Sequence, residues 1–152
     1  MGTVDVDYIL TNMPEMASVQ ETLGQYGAQM DIDLNKKVED FKVLAETFST
    51  QEIELTIAQR REKQAQLIKM EEDIQTFQQN GVKLMELKQH ELLQPLYRKI
   101  EVALDKVAKT EGYTQVMQTT SDIVYLDPNF DLTMQILSEM GITVKEDAED
   151  GE

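Results

Sequence analysis

Two narrow apolar stripes, laid end to end, constrain this chain more than any other feature. From Met16 onward the apolar residues fall at Val19, Leu23, Tyr26, Met30, Leu34, Val38, Phe41, Leu44 and Phe48, in steps of three and four. Such a stripe is a single seam, the pattern of a coiled-coil helix and not the broad face of a globular one. Ser49-Thr50-Gln51-Glu52 then offers a capping box, in which Ser49 and Glu52 satisfy each other's backbone donors. One helix is expected to end near Phe48 and another to begin near Thr50. The second stripe carries Ile53, Ile57, Leu67, Met70, Ile74, Phe77, Leu84, Leu87 and Leu92. It continues through Leu93, Leu96, Tyr97, Ile100, Leu104, Val107 and Ala108 until Gly112 stops it, just after a basic last turn.

A soluble helix of about 60 residues does not stand alone, so the two helices are predicted to pack as an antiparallel hairpin. Folding at Ser49 sets Ser18 near Asn80 and Gly81, and gives each arm about 30 residues and about 45 Å. Gly81 then either kinks the second helix where the arm meets a body or is a tolerated isolated glycine. Between Ala58 and Gln66 the apolar stripe nearly vanishes, so the hairpin is expected to be loosely held close to its tip.

The flanks read differently. Val4 and Val6 alternate with Asp5 and Asp7, a short strand with one buried face, and Pro14-Glu15 suits the first turn of a helix. Beyond Gly112, Tyr113–Gln118 and Asp122–Leu126 are rich in Tyr, Val and Ile, and Thr119-Thr120-Ser121 between them is a plausible hairpin connection. Asp131 is placed to cap a helix starting at Leu132, with Gly141 closing it. The fold class is therefore α+β: a long antiparallel helical hairpin, residues 18–80, on a small β body formed by residues 1–17 and 81–142. Residues 143–152 are acidic, nearly free of apolar side chains, and read as a disordered tail.

Composition excludes several functions. Asp and Glu outnumber Lys and Arg by 29 to 14, a net charge of −15 that repels nucleic acids and anionic membranes. The excess is uneven. It amounts to −6 through Thr47, −1 from Phe48 to Glu111 and −8 beyond. With no Cys there are no disulfides, thiolate nucleophiles or Cys-ligated metals. No apolar run approaches the roughly 20 residues that span a bilayer. His90 is the only histidine, and Gln94 stands where a zinc protease needs its second, while phosphate-binding and nucleophile-elbow glycine motifs are missing. Asp5 and Asp7 lack further metal-ligating partners. No catalytic residue, metal or cofactor is expected.

What remains is geometry. Three short strands with so little core are hard to stabilise within one chain, so oligomerisation is expected, with one face of the strands on the helices and the other on a neighbour. Val4, Val6, Tyr113, Val116, Ile123 and Val124 are the candidate interface residues. On the arms, Met30, Phe41, Phe48, Met70 and Phe77 most simply fill the seam; nine Met in the chain also suit a surface that accepts varied apolar partners.

The order and spacing of several segments resemble the Skp/OmpH family of periplasmic chaperones. The run QPLYRKIEVALDKVAKTEGYTQVMQ, followed by DIVYL and DLTMQIL, is similar to that family's C-terminal signature, and VDVDYILTNMPE to its first strand and the turn into its first long helix. The resemblance spans about Val4 to Ile142. It implies a homotrimer whose arms surround a cavity holding unfolded outer-membrane proteins without ATP, in the periplasm. Met1-Gly2 directly before the first strand then reads as a start placed where a secretion signal was removed; the residues alone also allow a cytosolic start. The acidic charge departs from Skp, which is basic. A structural coiled-coil adaptor for one folded partner is the rival expectation, and a prefoldin-like chaperone a third, disfavoured because prefoldin strands lie between the helices.

Overall fold

The computed structural model describes residues 1–144; the acidic tail expected at 143–152 lies outside the described residues from 145 onward. The element order is β1 (Gly2–Val4), α1 (Val6–Asn12), α2 (Glu15–Gln51), α3 (Ile57–Thr110), β2 (Val116–Gln118), a 3-10 turn (Pro128–Phe130) and α4 (Thr133–Glu139). The chain is mostly helical, with a long helical hairpin and a two-stranded sheet. It divides into two compact units, one of Met1–Gln20 with the described part of Glu91–Glu152, the other of Glu21–His90.

All the buried apolar side chains belong to the first unit. Ile9 and Leu10 of α1 lie in its core with Met13 and with Val19 of α2; α3 adds Leu96, Ile100, Ala103 and Val107, one helical face, and Leu132, Ile136 and Leu137 complete it. β1 pairs with β2 in parallel, Gly2 with Val116, Thr3 with Met117 and Val4 with Gln118. Gly2 is confined: a Cβ there would stand 3.1 Å from the Leu132 side chain and 3.2 Å from the Tyr113 ring.

The strand pattern differs from expectation in three ways. Val6 opens a helix, because the Asp5 carboxylate accepts the Tyr8 N–H at 2.9 Å and so caps α1 where the strand was predicted to continue. The sheet is a parallel pair of the two termini, not a hairpin. Ile123 and Val124 lie outside any strand: Ile123 donates its N–H to the Thr120 carbonyl in a turn, and Val124 is fully exposed.

Helix ends follow local chemistry. Gly112 and Gly141 both adopt φ +73°, the left-handed conformation that closes a helix. After Gly112 the Tyr113 N–H bonds to Ala108, and after Gly141 the Ile142 N–H bonds to Leu137. The fold-back of the hairpin, however, is not at Ser49. α2 runs on to Gln51, with the Thr47 and Thr50 hydroxyls bonded back to carbonyls of the preceding turn. The capping box that starts the next helix is Thr56 with Gln59: the Thr56 Oγ1 accepts the Gln59 N–H at 3.2 Å and the Gln59 Oε1 accepts the Thr56 N–H at 3.0 Å. Gly27 faces Met85 and Met30 faces Gly81, which centres the reversal on residues 55–56. Gly81 therefore lies opposite Met30 and not Ser18, so the predicted register was wrong.

Several polar contacts tie the first unit together. Thr133, only 4% exposed, donates its hydroxyl to Asp131 at 2.6 Å and accepts the Asp5 N–H at 2.9 Å, linking the start of α1 to the start of α4. Asp131 also accepts the Thr133 N–H at 3.0 Å, but α4 begins at Thr133 with Leu132 as its N-cap residue, one position later than predicted. Lys99 hydrogen-bonds Glu15, and this holds the Glu15 carboxyl below the usual carboxylate range. Because the folded value is lowered, that pair contributes at neutral pH and is lost as pH falls through the folded pKa.

Replacing Thr133 by Val keeps the shape but leaves the Asp5 N–H unpaired beside the core. Unfolding in urea is expected to show a loss of about 1–3 kcal/mol with an unchanged slope.

Candidate functional site

The second unit is built differently from the first, for no residue between Glu21 and His90 is fully buried. A single stripe on each helix covers the other stripe and nothing covers the flanks. Met30, Phe41, Phe48, Met70 and Phe77 all lie half-buried along the helices, so each of them combines packing with an exposed portion. Two rings carry a cation: Lys37 stands over Phe77 at 5.6 Å and Lys88 over Tyr26 at 5.9 Å. Apolar side chains with no seam to enter are more exposed still, Ile53 at 92% beside the turn and Ile57 at 72% at the start of α3. Ile32, Val43, Ile68 and Val82 are also open to water. Ile32, Val43 and Ile68 lie off the predicted seam positions, a signal already present in the sequence, whereas Val82 borders the seam.

The predicted interface residues scatter. Val4 is buried in its own unit, while Tyr113 and Val116 are half-buried, Tyr113 against Gly2. Val6 is half-buried on α1, far in kind from the strand role expected of it, and Ile123 is half-buried in the segment after β2. Next to Val124, Tyr125 is 82% exposed, and Met117 of β2 is 53% exposed. β2 has no strand partner other than β1 among the described residues.

A cavity of about 520 Å³ in the first unit is lined by Arg98, Lys99, Lys106, Val102, Met140 and Ile142, among others. Two of its three cations are already engaged, Lys99 by Glu15 and Lys106 by Glu139. Among the described residues no group of three or more His, Cys, Asp or Glu is placed to hold a metal ion, and no helix is long and apolar enough to cross a membrane.

The second unit is thus a long, thinly packed helical hairpin with open apolar flanks. The profile of the outer membrane protein (OmpH-like) family matches residues 1–140, and the chain belongs to that family. A crystal structure of an OmpH-like protein from Caulobacter crescentus, proposed to be an outer membrane chaperone, has the same fold. It superposes with a TM-score of 0.70 at 12% identity, over 91% of this chain and 82% of that one. No curated protein matches the chain in sequence.

If the open flanks leave the tip weakly held, amides between Phe48 and Gln66 exchange with solvent well before those between Leu96 and Val107, which sit on the buried face of α3. Hydrogen exchange read by mass spectrometry checks this; equal protection in the two segments would mean that the tip is packed against a partner.

Proposed function

We propose that this protein is an ATP-independent holdase of the periplasm, keeping unfolded envelope proteins from aggregating while they travel to the outer membrane. The observation that carries the reading is the hairpin unit itself, about seventy residues of helix with no fully buried side chain and a series of large apolar groups left half or wholly open. Such a surface suits many weak, non-directional contacts with an unfolded chain and offers no single shaped pocket for a folded partner. Membership of the OmpH-like family supports the same reading.

The working form in this reading is a homotrimer, with residues 1–142 acting as one functional domain. Support comes from the free edge of β2 among the described residues and from the exposure of Met117, Val124 and Tyr125, apolar surface that a further chain would cover. Tyr113, Val116 and Ile123 flank this edge and would contribute to the same contact. Val4 would act from behind, by holding β1 against β2. In the trimer the hairpins enclose a space, and Met30, Phe41, Phe48, Met70 and Phe77 supply part of its apolar lining. No nucleic acid or membrane insertion enters the reading.

The test is functional and general. Added at equal molar amounts, the protein is expected to suppress light scattering from several unrelated denatured proteins without ATP; protection of one partner alone would identify an adaptor instead. Static light scattering of the protein alone is expected to give three times the 17.4 kDa of the chain, and a stable monomer at micromolar concentration would overturn the trimer.

A further inference from the structure

One place in the hairpin seam is not filled as the rest is. At Gly27 on α2 and Gly81 on α3 there is no side chain, and the space is taken from the opposite helix by methionine methyl groups. The Cε of Met30 lies 3.3 Å from where a Cβ of Gly81 would stand, and the Cε of Met85 lies 3.6 Å from the corresponding point at Gly27. Around these two pairs is a solvent-open cavity of about 340 Å³, walled by Leu34, Phe77 and Val82 as well as by the methionines. A seam that only had to hold two helices together would place branched side chains here. Glycine opposite methionine instead gives a slot whose lining is the most easily rearranged of all apolar side chains.

The rim has a sign. Asp31 lines the cavity, and α2 from its first turn to Asn35 carries Glu15, Glu21, Asp31 and Asp33 with no Lys or Arg, the first basic residue of the whole chain being Lys36. Asp31 is the one charged residue among those lining the cavity, while Lys37 and Lys88 stand over the Phe77 and Tyr26 rings. An apolar slot with an acidic rim selects an apolar group that has a positive charge beside it.

We propose that this slot is a binding subsite for unfolded polypeptide, taking a Leu or Phe side chain from a segment in which that residue is flanked by Lys or Arg. Met30 and Met85 swing aside to admit it, and Asp31 meets the flanking cation. The inference rests on the holdase reading and gives it a location and a client class. Long-range attraction between the acidic chain and a basic segment speeds the encounter, and the slot then holds the apolar side chain, so the preference for basic segments fades as salt rises past about 0.15 M, where the Debye length is about 8 Å.

The experiment uses the whole chain with its methionine methyl groups isotopically labelled, and a short capped peptide in which Leu and Phe alternate with Lys. On titration, the Met30 and Met85 methyl resonances are expected to shift while those of Met134 and Met140, in the other unit, stay in place. Gly27→Ala with Gly81→Ala narrows the slot and weakens peptide binding by about tenfold. Both exchanges favour each helix, and an unchanged circular dichroism spectrum and melting temperature of the double variant establish that the hairpin is kept. Asp31→Lys is expected to reverse the preference for the Lys peptide over its Glu counterpart at low salt. Unmoved Met30 and Met85 resonances, or a double variant that binds as well as the parent, would overturn the slot while suppression of aggregation by the same preparation left the holdase reading standing. Failure to suppress aggregation at all would remove both.

Discussion

Everything in the second unit depends on two helices covering one narrow stripe each. Between Glu21 and His90 neither helix buries any side chain completely, and a helix of that length with one thin apolar row gains too little from water to persist alone. Paired, each supplies the other's only shelter. The price of such economy is exposure: two cylinders touching along a line shield only the seam, so the flanks remain wet and every apolar residue off the seam stays accessible. The same shortage of packing that makes this unit a poor core makes it a usable contact surface.

The first unit solves the opposite problem, the joining of chain ends that are far apart in sequence. β1 reaches β2 across the whole length of both long helices, and Thr3 additionally bonds through its carbonyl to the Leu132 N–H. The strand is thus gripped from two sides, by β2 and by the segment entering α4. Thr133, Asp131 and Asp5 set the corner where these meet. With Ile9, Leu10, Ile136 and Leu137 packed beneath, α1 and α4 become the clamp that a two-stranded sheet lacks by itself.

Much of this was legible in the sequence wherever one residue decides the backbone locally. Gly112 and Gly141 announced the ends of α3 and α4, because few residues other than glycine adopt the left-handed conformation a helix stop requires. The seam positions followed from periodicity. The position of the fold-back did not, since Ser49-x-x-Glu52 and Thr56-x-x-Gln59 are equally good capping boxes. No local rule ranks them; α2 continues through Ser49 because nothing there breaks it. Asp5 was read as a solvent-facing strand residue, yet its carboxylate caps a helix too short to display a period. The segment Asp122–Leu126 has the composition of a strand, but a strand exists only with a neighbour, and among the described residues none lies beside it. Of the candidate site, Met30 and Phe77 were visible as seam residues. Gly27 and Met85 carry no mark of their own, and Gly81 reads as a kink or a tolerated glycine, because the meaning of all three lies in a register fourteen residues away from the predicted one.

That register is the claim on which the seam, its glycine and methionine pairs and the exposed flanks all rest, and distances between spin labels test it directly. The chain has no cysteine of its own, so labels go only where cysteine is introduced. Asp33 is labelled together with either Gln79 or Ala65, all three exposed positions of the hairpin unit. A reversal at residues 55–56 sets Asp33 across from Gln79, and the Ala65 label about 20 Å further along the helix axis. The account predicts the Asp33–Gln79 distance to be clearly the shorter of the two; a shorter Asp33–Ala65 distance would place the fold-back at Ser49 and contradict it.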